Sequence, residues 1–345
     1  MKELLIISIL ISFFVTLAIL PKWIRKTTQA NLVWEDMNKY NHPKNVASSG
    51  GLVVVMAFVL GVLFYIAVRT FIIQEDGVGT QIFALLSSIL ILALVGLTDD
   101  FFEFRKHNGK ELSVSGLSVR FRIFLVLFAA IPLIVINAGH QEIALPFLGN
   151  IQLGLIYPLI FIPLGILGAT TTYNFLAGFN GLEASQGIII LSFLSFVAYQ
   201  TGSSWLTIIG LCMVASLLAF YIFNKFPARI FPGDIMTYSI GALIAIMAIL
   251  GNFERIAIFI FIPYILETIL KLRGNLKKQS FGKPNPDNSL EMPYNKIYGL
   301  THLSIFILKK FKKKAYEEDV VYLINTFQIA IILIALLLFR QYIFI

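Results

Sequence analysis

Long apolar runs separated by short polar stretches organise this chain from end to end. A transmembrane helix needs about 20 consecutive apolar residues. On that measure the pattern predicts ten spans: 3–21, 48–70, 80–98, 120–137, 152–173, 186–201, 205–223, 235–251, 254–270 and 320–339. Only Gln200-Thr201-Gly202-Ser203-Ser204 separates the sixth from the seventh. Pro158 and Pro163 fall inside the fifth and should bend it, a distortion that neighbouring helices absorb. The first run follows Lys2 but lacks a small-x-small cleavage pattern. Pro21-Lys22 therefore reads as the end of a retained helix, not of a signal peptide. The expected fold class is all-α, a polytopic integral membrane protein in which residues 1–345 form one transmembrane domain. No internal repeat or low-complexity tract divides it.

Composition supports this class. The chain is 58% hydrophobic and 13% charged, where soluble domains carry about 25% charged residues, and its mean hydropathy is +0.83. Cys212 is the single cysteine, so no disulfide or thiolate metal site can form. His42, His107, His140 and His302 show no metal-ligand spacing, which argues against zinc.

Charge gives the orientation. The odd-numbered loops are about 22–47, 99–119, 174–185, 224–234 and 271–319. With the turn after the second included, they hold 23 of the 27 lysines and arginines. The positive-inside bias places these loops in the cytoplasm and both termini on the other side. The +8 net charge then faces anionic headgroups and phosphorylated substrates. Lys309-Lys310-Phe311-Lys312-Lys313-Lys314 reads as a juxtamembrane anchor, and no nucleic-acid partner is expected. Pairing of two copies stays open.

Polar residues gather where the spans meet these loops. In Asn174-Phe175-Leu176-Ala177-Gly178-Phe179-Asn180-Gly181-Leu182-Glu183, amides, a carboxylate and glycines interrupt an apolar stretch, as they do when they line a site. Asn174 and Asn180 can face one pocket only if the helix opens near the glycines. Asparagine offers an oxygen to a hard cation, and donors and acceptors to a base or sugar. A loop with asparagines in turn positions is the plainer alternative. Asp99 and Asp100 end the third span and project about 100° apart, so they should do different work. One would face a cation or lipid phosphate, the other a nearby base such as Lys110. Acidic residues oppose the dipole at a helix C-terminus, which weakens the alternative of an ordinary helix end in the headgroup zone.

In Phe231-Pro232-Gly233-Asp234, the aspartate is either a simple N-cap or a carboxylate holding Mg²⁺ where open N–H groups receive phosphate. Arg229 is either a pyrophosphate partner or a positive-inside anchor. Ser48-Ser49-Gly50-Gly51 permits close helix approach or forms a backbone-lined wall. Glu267 and Lys271 read as a helix-surface ion pair. Lys283-Pro284-Asn285-Pro286-Asp287-Asn288-Ser289 is a turn cluster that cannot continue a helix.

On these residues the chain resembles the polyprenyl-phosphate sugar-1-phosphate transferase family, from Glu35-Asp36-Met37-Asn38-Lys39 to about residue 310. The Asn174–Glu183 run, continuing as Ala184-Ser185-Gln186, and Leu290-Glu291-Met292-Pro293-Tyr294-Asn295-Lys296 are similar to its eukaryotic and archaeal UDP-GlcNAc:dolichyl-phosphate branch. The resemblance implies Asn174 and Asp234 as ligands of Mg²⁺, with Mn²⁺ as a substitute. It implies Asn180 against uracil, with Gly181, Glu183, Arg229 and Lys283 also on the substrate. Asp99 or Asp100 would orient or deprotonate the lipid phosphate, and Lys110 would neutralise phosphate charge, with Lys106 as the alternative. The chain departs from the family at 281–288, where relatives carry an Arg-His-Arg or His-rich motif and this sequence has no histidine and one base, Lys283.

The expected activity is transfer of a sugar 1-phosphate, GlcNAc-1-phosphate first, from a UDP-sugar to a polyprenyl or dolichyl phosphate with release of UMP. The expected setting is an archaeal or bacterial cell membrane rather than the endoplasmic reticulum. A bacterial-type undecaprenyl-phosphate or phospho-MurNAc-pentapeptide transferase is the nearest alternative. A secondary transporter is the alternative from another class. The ten span centres lack Asp, Glu, Lys, Arg and His, so a proton relay has nothing to work with.

Overall fold

The computed structural model describes residues 2–74, 77–107, 117–140, 142–145 and 149–344, with side chains for all of these but 2–3, 103–107, 142–145 and 149–151. Helical segments cover all ten expected spans. Among the described residues, seven contain helices long and apolar enough to cross a membrane. They are α1 (Lys2–Gln29), α2 (Gly51–Val68, extended by a π-helical turn at Arg69–Ile73), α3 (Gly79–His107), α7 (Leu182–Gln200), α8 (Ser204–Asn224), α9 (Asp234–Gly251) and α13 (Glu317–Leu338). The other three are broken. The fourth is α4 (Val119–Phe128) and α5 (Ile131–Val135), the fifth a π-helical turn at Tyr157–Phe161 and α6 (Ile162–Phe175), the ninth α10 (Glu254–Ile260) and α11 (Ile262–Arg273). A proline opens the second piece of each: Pro132, Pro163 and Pro263. It removes an N–H donor and crowds the preceding turn, so the ladder restarts there.

One helix end differs from expectation. α1 does not stop at Pro21-Lys22 but continues to Gln29. Its last turns are held by Trp23, whose Nε1–H donates to the Ser48 carbonyl at 3.4 Å, and by the Thr27 hydroxyl on the Trp23 carbonyl.

Apolar attraction between helices is weak in lipid, so close approach and interhelical hydrogen bonds must hold the bundle. α9 is its axis, with 83% of its span buried, while α1 at 22% is peripheral. α3 and α6 flank α9. A Cβ on Gly96 of α3 would lie 2.6 Å from the Asp234 carbonyl, and one on Gly241 would lie 2.7 Å from that of Ala169. The ends of α1, α3, α6, α8 and α11 and the starts of α2, α7, α9 and α13 share one face of the bundle. The described chain ends lie at the other, where Phe344 meets Phe196 and Arg255 stacks on Tyr342.

Three short hairpins trim the bundle: β1 (Val33–Glu35) with β2 (Lys44–Ala47), β3 (Glu142–Leu145) with β4 (Gly149–Gln152), and β5 (Lys283–Pro284) with β6 (Leu290–Glu291). The first continues as a clasp. Phe231 N–H donates to the Ala47 carbonyl (2.8 Å), and Gly50 and Gly51 N–H donate to Phe231 and Pro232 (both 2.9 Å). Close approach at Ser48–Gly51 thus joins the loop between α1 and α2 to the start of α9. α12 (Leu300–Lys312) precedes α13, and α14 (Arg340–Ile343) follows it.

Candidate active site

Two polar assemblies form at the shared face. In the first, the C-terminal half of α3 brings Asp99 and Asp100 to the start of α9, both nearly buried at 2% and 9% exposure. Their roles diverge, as their angular separation requires. Asp99 accepts the Leu117 N–H at 2.7 Å and pairs with Arg122 of α4 at 2.9 Å. Arg122 also donates from Nη2 to the Leu117 carbonyl at 3.3 Å. Asp100 accepts the N–H of Asp234 at 2.8 Å and the Ser49 hydroxyl at 3.4 Å. It thereby satisfies a donor that a helix start leaves open.

Gly233 makes this contact possible. Its φ of +71° is left-handed, and a Cβ there would clash with the Asp100 carboxylate. Asp234 itself is half-buried at the first position of α9, where the helix dipole favours negative charge. Asn174 lies on the last turn of α6. From the Gly241 crossing it lies four residues towards the polar face, and Asp234 seven residues, or about 6 and 10 Å at 1.5 Å per residue.

The second assembly is an interlock of loops. Gly178, at φ +114°, and Gly181, at φ +83°, open the chain between α6 and α7. The Glu183 carboxylate is buried and accepts the Gly178 N–H at 2.8 Å, so it shapes the loop from within. Asn180 is buried as well. Its backbone N–H donates to Glu317 of α13 (2.8 Å) and its Nδ2 to Asp36 (3.1 Å). Asn38 Nδ2 donates to the Gly178 carbonyl (2.8 Å) and to Glu317 (3.2 Å), while its Oδ1 accepts Gly282 N–H (3.0 Å). Lys39 pairs with Asp36 at 3.0 Å and lies over the Phe226 ring. Phe281 packs on Gly178, which brings the 281–283 stretch against the asparagine run. Beside the interlock a cavity of about 130 Å³ is lined by Asn180, Tyr221, Lys225, Phe226, Glu318 and Tyr322, among others.

The structure thus unites Asp99, Asp100 and Asp234 in one assembly, and Asn180, Gly181 and Glu183 in the other. Arg229 and Lys283 are exposed at its edges, on the loop before α9 and on β5. Lys110 lies outside the described residues, as does the side chain of Lys106. The base found on Asp99 is Arg122, counted in the sequence only as a positive-inside residue. α4 folds back beside the end of α3 and delivers it. Asp36 and Asn38 entered the sequence reading only within the stretch where the family resemblance begins, and Glu317 carried no signal beyond polarity at a span end. Glu267 and Lys271 are not a surface pair. Glu267 is fully buried, 3.8 Å from Lys271, and accepts the Leu300 N–H at the start of α12.

The donors present are hard oxygens of carboxylates and amides. Among the described residues, no three His, Cys, Asp or Glu side chains are grouped to hold a metal by themselves. That set fits a magnesium ion, which is typically bound by one or two carboxylates and completed by substrate phosphates.

Residues 82–252 match the family model described as Glycosyl transferase family 4. The chain is 36% identical to a Saccharolobus solfataricus protein provisionally named UDP-N-acetylglucosamine–dolichyl-phosphate N-acetylglucosaminephosphotransferase, over 92% of each chain. A Dictyostelium discoideum protein carrying that name without qualification is 30% identical, over 73% of this chain and 67% of its own. A phospho-N-acetylmuramoyl-pentapeptide-transferase of Streptococcus pneumoniae is 26% identical, over 75% and 77%.

Proposed function

Because the chain belongs to glycosyl transferase family 4, we propose that it transfers N-acetylglucosamine 1-phosphate from UDP-GlcNAc to a polyprenyl phosphate of the dolichyl type. Likeness to the dolichyl-phosphate transferases along nearly the whole chain carries this reading. A phosphate oxygen of the lipid attacks the sugar-linked phosphorus. The bond to the nucleotide phosphate breaks, UMP leaves, and the lipid keeps a diphosphate bearing the sugar. The lipid phosphate carries about −1.5 to −2 charge at pH 7. The obstacle is therefore repulsion between two anions more than removal of a proton.

Asn174 and Asp234 would hold Mg²⁺, with Mn²⁺ able to replace it. The ion supplies charge neutralisation for the diphosphate and for departing UMP. Asp100 adjoins Asp234 and would face the reacting phosphates. Asp99, neutralised by Arg122, would orient the end of α3. Lys110 or Lys106 and Arg229 would meet phosphate charge. Asn180 would contact the uracil, and Lys283 the sugar phosphate. The assemblies face the cytoplasm of a ten-span protein in an archaeal-type cell membrane, with both chain ends outside. That arrangement lets a soluble donor meet a membrane-bound acceptor.

The test is a radiolabel assay with purified protein, Mg²⁺, polyprenyl phosphate and a panel of UDP-sugars, including UDP-MurNAc-pentapeptide. The reading expects UMP release and lipid-phase label with UDP-GlcNAc, both lost with EDTA. Label only from the pentapeptide donor, or no UMP release from any donor, contradicts it.

A further inference from the structure

We propose that Glu317 is a positioning residue for the nucleotide-sugar, acting through Asn180; the inference rests on the transferase reading above. Glu317 is the first residue of α13, where a carboxylate ordinarily turns to water or headgroups beside the helix dipole. Instead it is 3% exposed. Its Oε1 accepts from two loops at once, the Asn180 N–H and Asn38 Nδ2. Among the described residues its Oε2 is buried with no hydrogen-bond partner. Burying a carboxylate with one oxygen unsatisfied is costly, so an ordinary packing role does not account for it.

The contacts account for it. Asn38 grips the Gly178 carbonyl and the Gly282 N–H, and Asp36 takes the Asn180 amide. One oxygen of Glu317 is therefore the node where the 36–38 loop, the 178–180 loop and the 281–283 stretch are held in register. Those loops come from sequence positions as far as 244 residues apart. The residue does not touch substrate. It sets where Asn180 and its neighbours stand before substrate arrives, so its loss weakens donor binding and leaves the acceptor side alone.

The experiment is steady-state kinetics of purified Glu317→Ala, Glu317→Gln and Asn38→Ala, with UMP affinity measured by calorimetry. Glu317→Ala is expected to raise KM for UDP-GlcNAc about tenfold or more and to weaken UMP binding in parallel. Its kcat at saturating donor and its KM for polyprenyl phosphate should stay within about twofold. Glu317→Gln keeps a carbonyl oxygen at the node and should restore KM to within about threefold. Asn38→Ala, removing the other end of the bond, should reproduce the selective rise. If Glu317→Ala does not fold, the Asn38→Ala and Glu317→Gln pair decides alone. Unchanged donor KM and UMP affinity in folded Glu317→Ala overturns the inference, as does an equal rise in KM for both substrates. So does a Gln variant as impaired as the Ala variant. Absence of UMP release by the wild-type protein would instead overturn the transferase reading, so the two failures are distinct.

Discussion

The two polar assemblies at the shared face are both rich in carboxylates that accept backbone N–H groups, yet on the function proposed above they would use their charge differently. In the interlock, Glu183, Glu317 and Asp36 accept N–H groups from loops: Gly178, Asn180 and the Asn180 amide. Their charge is spent on shape. At the junction of α3 and α9, three carboxylates are crowded by close helix packing at Gly96 and Gly233, and Asp234 stands at a helix start where anions are favoured. On the function proposed above, Asp234 and Asp100 would turn their charge on the ligand, while Arg122 neutralises Asp99. A motif rich in polar residues can therefore hold loops together, as the buried bonds of Glu183 and Glu317 do.

Substitutions should separate the two regions. The largest effect is expected for Asp234→Asn and Asp100→Asn. Each should lower kcat by about 10³-fold, the range for loss of one preorganised electrostatic group, with little change in melting temperature. A turnover loss below about tenfold would move the chemistry elsewhere. Next is Gly233→Ala, which forces a left-handed φ on a residue with a side chain and drives its Cβ into Asp100. Misplacing the carboxylate should cost about 10²-fold in kcat/KM, read in the same assay. Arg122→Met leaves Asp99 buried without its cation. It should reduce kcat by about tenfold while Arg122→Lys recovers part, a graded pattern that a directly reacting group would not give.

In the interlock, Glu183→Ala strands the Gly178 N–H. Its mark should be stability, a loss of about 1–3 kcal/mol in detergent unfolding, with kcat of the folded fraction little changed. The smallest effect concerns His302 on α12. It is buried, with its Nδ1 accepting the Tyr298 N–H, and burial pushes its pKa down to about 4. The unfolded imidazole titrates near 6.5, so the unfolded chain binds the extra proton first. The His302 contribution to stability should be constant above about pH 6.5 and fall progressively between about 6.5 and 4. His302→Gln should flatten that slope without altering turnover at pH 7.

The sequence reading reached the bundle because lipid imposes a coarse, periodic constraint. Helical segments fall within all ten apolar runs, and Pro158 and Pro163 lie at a π-helical turn and at the start of α6 that follows it. The breaks at Ala129–Ala130 and at Phe261 were not anticipated, although Pro132 and Pro263 mark them as Pro163 marks the fifth span. Asp99, Asp100 and Asp234 stood out because charges at span ends are few. The interlock did not. Asp36 meets Asn180 across 144 positions and Glu317 meets Asn38 across 279, and each side chain alone reads as a polar loop residue or an acidic helix start. Arg122 was hidden in the same way, since a base beside a span already has an explanation in membrane topology.

The most direct test of the division between chemistry and scaffold is metal binding. Mn²⁺ titrated into purified protein with UDP-GlcNAc can be followed by electron paramagnetic resonance. The account predicts one protein-bound ion in the wild type, its loss in Asp234→Asn, and its retention in Glu183→Gln. Equal Mn²⁺ binding by wild type and Asp234→Asn, or loss confined to Glu183→Gln, would contradict it.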